Sequence, residues 1–115
     1  MAASPSCIFC KILKGEIPST KVYEDAEVFA FRDINAQAPN HVLVIPREHL
    51  ASVDELRPEH AELGGKLLMA GAKIAKQLGT PSYRLVLNTG AEAGQTVFHI
   101  HLHVLSGRKF GWPPG

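Results

Sequence analysis

Histidine occupies every second position in a short apolar stretch near the end of the chain. The stretch covers residues 97–105, its histidines are His99, His101 and His103, and aliphatic residues fill the positions between them. Successive side chains of a β-strand point to opposite faces, so the three imidazoles would share one face and the aliphatic residues the other. We therefore predict a half-buried strand over 97–106, whose histidine face meets a ligand or solvent.

Three adjacent imidazoles are awkward to bury without a function. Each needs hydrogen-bond partners, and any that gain a proton repel one another. Because imidazole has an unperturbed pKa of about 6.5, it can act near neutral pH as a nucleophile, a proton donor or a metal ligand. Two hypotheses follow: phosphoryl chemistry through a histidine nucleophile, or a zinc site made by His99, His101 and His103. The first is favoured, because neighbouring positions on one strand do not easily supply a compact tetrahedral set.

Length and composition indicate one ordinary globular domain over residues 1–115. Hydrophobic residues make up 45% of the chain and charged residues 20%, and the net charge is +1. This balance favours neither a nucleic-acid surface nor a membrane surface. No apolar run approaches the roughly 18 residues needed to cross a bilayer, and residues 1–6 lack the features of a secretion signal. We expect a cytoplasmic protein.

Cys7 and Cys10 form a C-x-x-C motif close to the start of the chain. A disulfide framework is not expected in a reducing compartment. Three interpretations of the pair stay open: two ligands of one metal ion, a redox pair, or two inert thiols. No strand-helix-strand pattern follows the motif, which argues against a thioredoxin-like role.

The remaining pattern predicts an α+β fold with a five-stranded antiparallel sheet, one long helix and one short helix. Gly15 would end the short helix, Pro58 would open the long one, and Gly79 would follow its end. Short connections favour antiparallel pairing, with both helices on one side of the sheet. The predicted segments are a short helix ending before Gly15, strands at 21–24, 27–33 and 41–45, a helix at 58–78, and strands at 83–88 and 97–106.

Motifs spread over almost the whole chain resemble the histidine triad superfamily, and specifically its nucleotide-binding branch. The run H-I-H-L-H-V-L at 99–105 is similar to the family signature. The other motifs that carry the resemblance are Ile8-Phe9 with Ile12, Glu16-Ile17-Pro18, Tyr23-Glu24-Asp25, Phe31-Arg32-Asp33-Ile34, Gln37-Ala38-Pro39, residues 41–46, Tyr83-Arg84, Gly94-Gln95 and Trp112-Pro113-Pro114-Gly115.

The resemblance implies a homodimer, in which two sheets join into ten strands, with a purine nucleotide site for AMP or GMP in each subunit. His101 would be the nucleophile, and His99 and His41 would orient it and manage protons. The implied nucleotide contacts are Asp33 for the ribose, Phe9, Ile12, Phe31 and Ile34 for the base, and Asn88, Gly94, Gln95, Thr96 and His103 for the phosphate. The family position matching Thr96 is commonly Ser, which keeps the hydroxyl.

The activity implied by the resemblance is hydrolysis of the P–N bond of adenosine 5'-monophosphoramidates through a nucleotidyl-histidine intermediate, with no cofactor required for catalysis. Two alternatives stay open: a nucleotide-binding regulatory or scaffold protein, and a dinucleoside polyphosphate hydrolase. The transferase branch usually has glutamine in place of the third histidine, whereas His103 is present here.

A structural zinc ion is a further hypothesis. The spacing of Cys7 and Cys10 lets both thiolates reach one ion, but a closed tetrahedral site needs two more ligands. We expect these from His49 and His99. Some family members carry the same cysteine pair and bind zinc, while others lack it.

Overall fold

Two helices and five strands make up the fold, and a computed structural model describes them over residues 4–115. Each segment predicted from the sequence has a counterpart. The bounds are α1 Ile8–Leu13, β1 Lys21–Glu24, β2 Val28–Arg32, β3 Asn40–Pro46, α2 Ala61–Gln77, β4 Arg84–Val86 and β5 Leu102–Ser106. The prediction of five strands with one long and one short helix is confirmed.

The five strands form one antiparallel sheet in the order β1-β2-β3-β5-β4. β3 is the central strand, and its residues are buried on both faces of the sheet. β4 lies at an edge. Leu43 of β3 pairs with Phe31 on one side and with His103 on the other. This register brings residues of the end of β2, β3 and β5 to one face of the sheet.

The two helices lie on opposite faces of the sheet, not on one side as predicted. α2 covers the face with Val44, Leu102 and Val104 through its stripe Leu63, Leu67, Ala70 and Ile74. α1 covers the other face, where Phe9 and Ile12 pack with Phe29, Phe31, Leu43 and Ile45. The apolar residues on both faces of β2 require this arrangement, since each face must be shielded from water.

The histidine strand is half as long as predicted. β5 begins at Leu102, so His99 and His101 lie outside the ladder, in a segment that bends at residues 97–99. Pro46 explains the difference, because it lacks the N–H that would continue pairing with β5. The Ile100 N–H donates instead to the Leu50 carbonyl at 2.8 Å. β4 is also shorter than its predicted span, for it covers only Arg84–Val86.

The long helix begins three residues later than predicted. Pro58 opens a 3-10 turn, Pro58–His60, and the α-helix follows from Ala61. Gly79 adopts a positive φ of 79° just beyond the helix end, as predicted. No helix in the described range 4–115 is long and apolar enough to span a membrane.

Candidate active site

A cleft of about 470 Å³ separates α1 from the histidine face of the sheet. Its volume is within the range of about 300–1,000 Å³ that is typical of small-molecule sites. Nine residues proposed from the sequence line this cleft: Phe9, Ile12, Phe31, Asp33, Ile34, His41, Thr96, His101 and His103. Helix α1, the end of β2, β3 and β5 supply most of them, so four separate segments converge on one pocket.

The apolar end of the cleft is an aromatic and aliphatic surface. Phe9 meets Phe31 edge to face, with ring centroids 5.5 Å apart, and both rings are buried. Ile34 is fully exposed at the rim. Such a surface fits a flat heteroaromatic ring, which binds by stacking and by loss of contact with water.

Asp33 lies just beyond β2, between the apolar end and the histidines. Its Oδ1 accepts a hydrogen bond from the Asn35 N–H at 2.9 Å, while Oδ2 lies 3.4 Å from Nε2 of His41. The side chain is about one-fifth exposed. One carboxylate oxygen is thus anchored, and the other is placed to accept a hydrogen bond from a ligand.

His101 presents an unprotonated nitrogen to the cleft. Its Nδ1 lies 2.8 Å from the His99 carbonyl oxygen. Because a carbonyl can only accept, Nδ1 carries the proton, and Nε2 of the neutral ring keeps its lone pair. The ring packs edge to face on Phe9 at 5.2 Å and is 7% exposed. A lone pair held at a fixed position in a pocket is the arrangement that a nucleophile requires.

His103 has the opposite tautomer, set by a chain of hydrogen bonds. The Gln37 N–H donates to Nδ1 of His41 at 3.0 Å, so the proton of neutral His41 is on Nε2. Nε2 of His41 then donates to Nδ1 of His103 at 2.9 Å. The proton of His103 is therefore on Nε2, where it can be donated to a ligand.

Burial keeps the His103 and His41 rings uncharged at neutral pH. Loss of solvation lowers the pKa of His103 to about 4, and the neighbouring His101 and His41 act in the same direction. Burial also lowers the pKa of His41, against the opposing influence of Asp33. The contact of 3.4 Å between His41 and Asp33 is accordingly a weak polar contact and not a salt bridge, since it would need a protonated imidazole.

The two cysteines and two histidines predicted as metal ligands come together at the start of α1. The sulfur atoms and the Nδ1 atoms of Cys7, Cys10, His49 and His99 all lie within 4.8 Å of one another. Nδ1 of His99 is 3.4 Å from Sγ of Cys7 and 3.2 Å from Nδ1 of His49. Nδ1 of His49 is 3.3 Å from Sγ of Cys10.

This cluster fits a tetrahedral metal ion. In a tetrahedral zinc site the bonds are about 2.3 Å to sulfur and 2.0 Å to nitrogen. Any two ligand atoms are then about 3.3–3.8 Å apart. Nε2 of His99 donates to the Pro46 carbonyl at 2.8 Å, which leaves the lone pair on Nδ1, inside the cluster. Burial lowers the pKa of His99 to about 4 and raises that of the Cys7 thiol.

A second group of possible ligands, Asp33, His41 and His103, does not fit a metal in the same way. Its members also lie within 4.8 Å of one another. Nε2 of His41 carries a proton, however, because Nδ1 is occupied by the Gln37 N–H. The 2.9 Å between His41 and His103 is that of a hydrogen bond and is shorter than the edge of a zinc tetrahedron.

The loop before the histidines carries three of the residues that are expected to contact a phosphate. Asn88, Gly94 and Gln95 do not line the cleft. The Gln95 side chain is buried and bonded to loop backbone: its Nε2 donates to the carbonyls of Ala51 and Val97 at 2.7 and 3.1 Å, and its Oε1 accepts from the Gly90 N–H. The Gln95 amide is thus engaged by backbone groups, and the expected contacts of Asn88, Gly94 and Gln95 with a phosphate stay a prediction.

Several cleft residues were not assigned from the sequence. They are Ile8, Ile17, Pro18, Ser19, Arg32, Asn35, Gln37, Leu43 and Val97. Leu43 could have been found, because strand pairing places it beside Phe31 on the same face. Gln37 could not, because its contribution is a backbone N–H.

The fold and the site define a small α+β domain that holds a histidine-lined cleft and a separate Cys/His cluster. The HIT domain family matches residues 14–110, and the chain belongs to this family. The expected membership of the histidine triad superfamily is thereby confirmed.

Known proteins resemble the chain over nearly its whole length. It is 50% identical to the 14 kDa zinc-binding protein of Zea mays, over 94% of this chain and 87% of that protein. It is 45% identical to adenylylsulfatase HINT1 of Arabidopsis thaliana, over 100% of this chain and 82% of that protein. The crystal structure of a HIT family hydrolase from Legionella pneumophila is 47% identical, with a TM-score of 0.93, over 96% of this chain and 100% of that one.

Proposed function

We propose that this protein is a nucleotide-binding hydrolase that cleaves the P–N bond of adenosine 5'-monophosphoramidates. The observation that carries the proposal is the pair of opposite tautomers in one cleft: a lone pair on Nε2 of His101 beside a proton on Nε2 of His103. The first can attack a phosphorus atom, and the second can donate to the oxygens of that phosphoryl group. An apolar surface and a carboxylate lie further along the same cleft, as a nucleoside requires.

The reaction has two steps. His101 attacks the α-phosphorus through Nε2, a P–N bond forms, and the bond to the leaving amine breaks as the amine nitrogen takes a proton from water. Water then attacks the nucleotidyl-histidine, which releases the nucleoside monophosphate and restores the imidazole. His103 stabilises the charge on the phosphoryl oxygens, an electrostatic effect worth several kcal/mol when the donor is already in place. His41 and His99 hold their neighbours in the required orientation.

AMP or GMP is the product expected from the shape of the cleft. Phe9 and Phe31 would receive a purine ring, and Asp33 would accept hydrogen bonds from the ribose hydroxyls. The phosphate would lie between His101, His103 and the hydroxyl of Thr96. The relative from Arabidopsis named adenylylsulfatase suggests a second leaving group, sulfate, since attack at the same phosphorus would expel it.

Replacement of His101 tests the proposed activity. In His101→Ala, turnover of AMP-lysine or AMP-amide should be abolished, while AMP binding should stay within about tenfold of the wild type, because a nucleophile acts mainly in the transition state. Turnover by single-turnover assay and affinity by calorimetry measure the two effects. Near-native turnover by this variant would refute the mechanism.

A comparison of substrates separates the proposed activity from its alternatives. The phosphoramidates AMP-lysine and AMP-amide should be cleaved faster than a diadenosine polyphosphate, and adenylyl sulfate should react at the same His101. Tight AMP binding without turnover of any of these compounds would favour a regulatory or scaffold protein. Faster cleavage of the diadenosine compound would favour a polyphosphate hydrolase.

We also propose that Cys7, Cys10, His49 and His99 hold a structural zinc ion. The spacing of the four ligand atoms supports this, as does the zinc-binding relative from Zea mays. The ion would tie α1 to the segment that carries His99, whose carbonyl orients His101. It has no part in the hydrolytic steps.

The protein is further proposed to be a homodimer with a continuous ten-stranded sheet. β4 is an edge strand with one neighbour in the sheet, β5, so its outer edge can pair with a second copy. Gly64 and Gly65 of α2 leave space for close approach, since a Cβ on either would meet no atom within 4 Å. Gly71 differs, because its Cβ would lie 3.1 Å from Leu102 in the core of the same chain.

A further inference from the structure

Gln37 joins the active site to the C-terminal segment through its backbone. Its N–H donates to Nδ1 of His41 at 3.0 Å, and its carbonyl accepts from Nε of Arg108 at 3.1 Å. One peptide segment is therefore held from two sides, by a buried histidine and by an exposed arginine. Arg108 does not line the cleft.

The guanidinium of Arg108 is itself fixed in place. It lies over the Phe110 ring, 4.3 Å from the centroid, and its Nη1 donates to the Lys109 carbonyl at 3.0 Å. Arg84 of β4 also lies over Phe110, at 5.2 Å, and donates to the Gly111 carbonyl at 2.8 Å. Two arginines thus contact the same ring, but only Arg108 reaches the loop that carries Gln37.

We propose that Arg108 is a positioning residue that, through the Gln37 backbone, fixes the tautomers of His41 and His103. This inference rests on the proposed function, in which His103 must present Nε2–H to the phosphoryl group. If Gln37 moved away, the Nδ1 atom of His41 would lose its donor, and His41 could then carry its proton on Nδ1. Nε2 of His41 would stop donating to His103, and His103 would be free to place its own proton on Nδ1, away from the ligand.

Asp33 does not replace this control. Its Oδ2 is 3.4 Å from Nε2 of His41, against 2.9 Å from the same atom to Nδ1 of His103. The His41 proton is therefore directed chiefly at His103. The Gln37 N–H is the backbone donor to Nδ1 of His41, so the tautomer of His41 depends on the position of the Gln37 backbone.

The test uses two variants and a matched control. Arg108→Gln removes the hold on the Gln37 carbonyl, and Gln37→Pro removes the N–H itself. Arg84→Gln is the control, because it removes the other arginine on Phe110 and a bond to the C-terminal segment without touching Gln37. Arg108→Lys keeps a donor near the carbonyl and should restore part of the wild-type behaviour.

The first readout is the tautomer of His103, measured by ¹⁵N NMR in the protein without nucleotide. The wild type and Arg84→Gln should show the Nε2–H form, and Arg108→Gln and Gln37→Pro should show a share of the Nδ1–H form. An unchanged tautomer in Arg108→Gln would overturn the proposal, even if Gln37→Pro failed to fold. So would an equal tautomer shift in Arg84→Gln.

The second readout is turnover of AMP-amide. In Arg108→Gln, kcat should fall about two- to tenfold, the value of one ordinary hydrogen bond, with a smaller change in KM. Equal kcat values for Arg108→Gln and the wild type would also overturn the proposal. Absence of turnover in the wild-type protein would instead refute the proposed function, and the NMR result would still decide the role of Arg108.

Discussion

A neutral imidazole offers one N–H and one lone pair, and in this chain backbone groups decide which nitrogen has which. The carbonyl of His99 puts the proton of His101 on Nδ1, and the N–H of Gln37 puts that of His41 on Nε2. Three histidines two residues apart consequently present different groups to their surroundings. His99 faces the Cys/His cluster, His101 presents a lone pair to the cleft, and His103 presents a proton.

The stability of the protein should fall as the pH drops from about 6.5 to 4. The folded state holds the pKa of His103 at about 4, below the ordinary value of 6.5, so the unfolded chain binds a proton in this window and the folded chain does not. Each such histidine makes the free energy of unfolding decrease by up to about 1.4 kcal/mol per pH unit. Urea unfolding at a series of pH values measures the slope.

His103→Gln is the comparison that isolates this residue. The variant should show a shallower decrease between pH 6.5 and 4, because one of the protons taken up on unfolding is gone. Both proteins should be measured at the same metal content. A slope identical to that of the wild type would show that His103 is not buried in its neutral form.

For single residues, the sequence predicted which side chains share a face of a strand better than it predicted which hydrogen bonds they make. Alternation was enough to place His101 and His103 in one pocket, with Leu102 and Val104 in the core behind them. It could not show that the Gln95 amide bonds to backbone groups, since one of them is the Ala51 carbonyl, 44 residues away in the chain. Nor could it find the part played by the backbone of Gln37, which any residue other than proline could supply.

At the scale of elements, α1 contributes to two sites at once. Cys7 caps its start, where Sγ accepts from the Cys10 N–H, and Phe9 packs against both His99 and His101. The helix has only six residues, fewer than an isolated helix needs to be stable in water. Its position must therefore come from its contacts with the sheet and from the Cys/His cluster.

Metal analysis tests the proposed zinc. Protein purified without added zinc should contain about one zinc per chain, and a variant with both Cys7→Ser and Cys10→Ser should contain none. The variant should also be less stable and less active, since α1 would lose its link to the segment with His99. Wild-type protein that contains no zinc as purified, or a double variant that melts at the wild-type temperature, would contradict the site.

The lengths of the elements were less predictable than their existence. The sequence indicates that β3 ends at Pro46, but it does not indicate that the same proline shortens the partner strand β5. The placement of α1 opposite α2 depends on long-range packing of Phe9 and Ile12 against β2 and β3, which periodicity within a segment does not reveal. The stripe of α2, in contrast, follows its sequence pattern closely.

At the scale of the whole molecule, the proposed dimer should exist at micromolar concentration. Sedimentation should give twice the mass of one chain. In Gly65→Arg a long charged side chain would enter the space that a second copy needs, while the isolated chain has no atom within 4 Å to clash with its Cβ. The variant should keep its circular dichroism spectrum and sediment as a monomer. A monomeric wild type, or a dimeric Gly65→Arg, would contradict this interface.

The proposed mechanism requires that His101 becomes covalently nucleotidylated during turnover. Wild-type protein mixed with AMP-amide and quenched in denaturant within the first turnover should carry one AMP on the peptide that contains His101, detected by mass spectrometry. The adduct should form no later than free AMP, decay as AMP is released, and be absent from His101→Ala. AMP release without an adduct, or an adduct on another residue, would contradict the proposed mechanism.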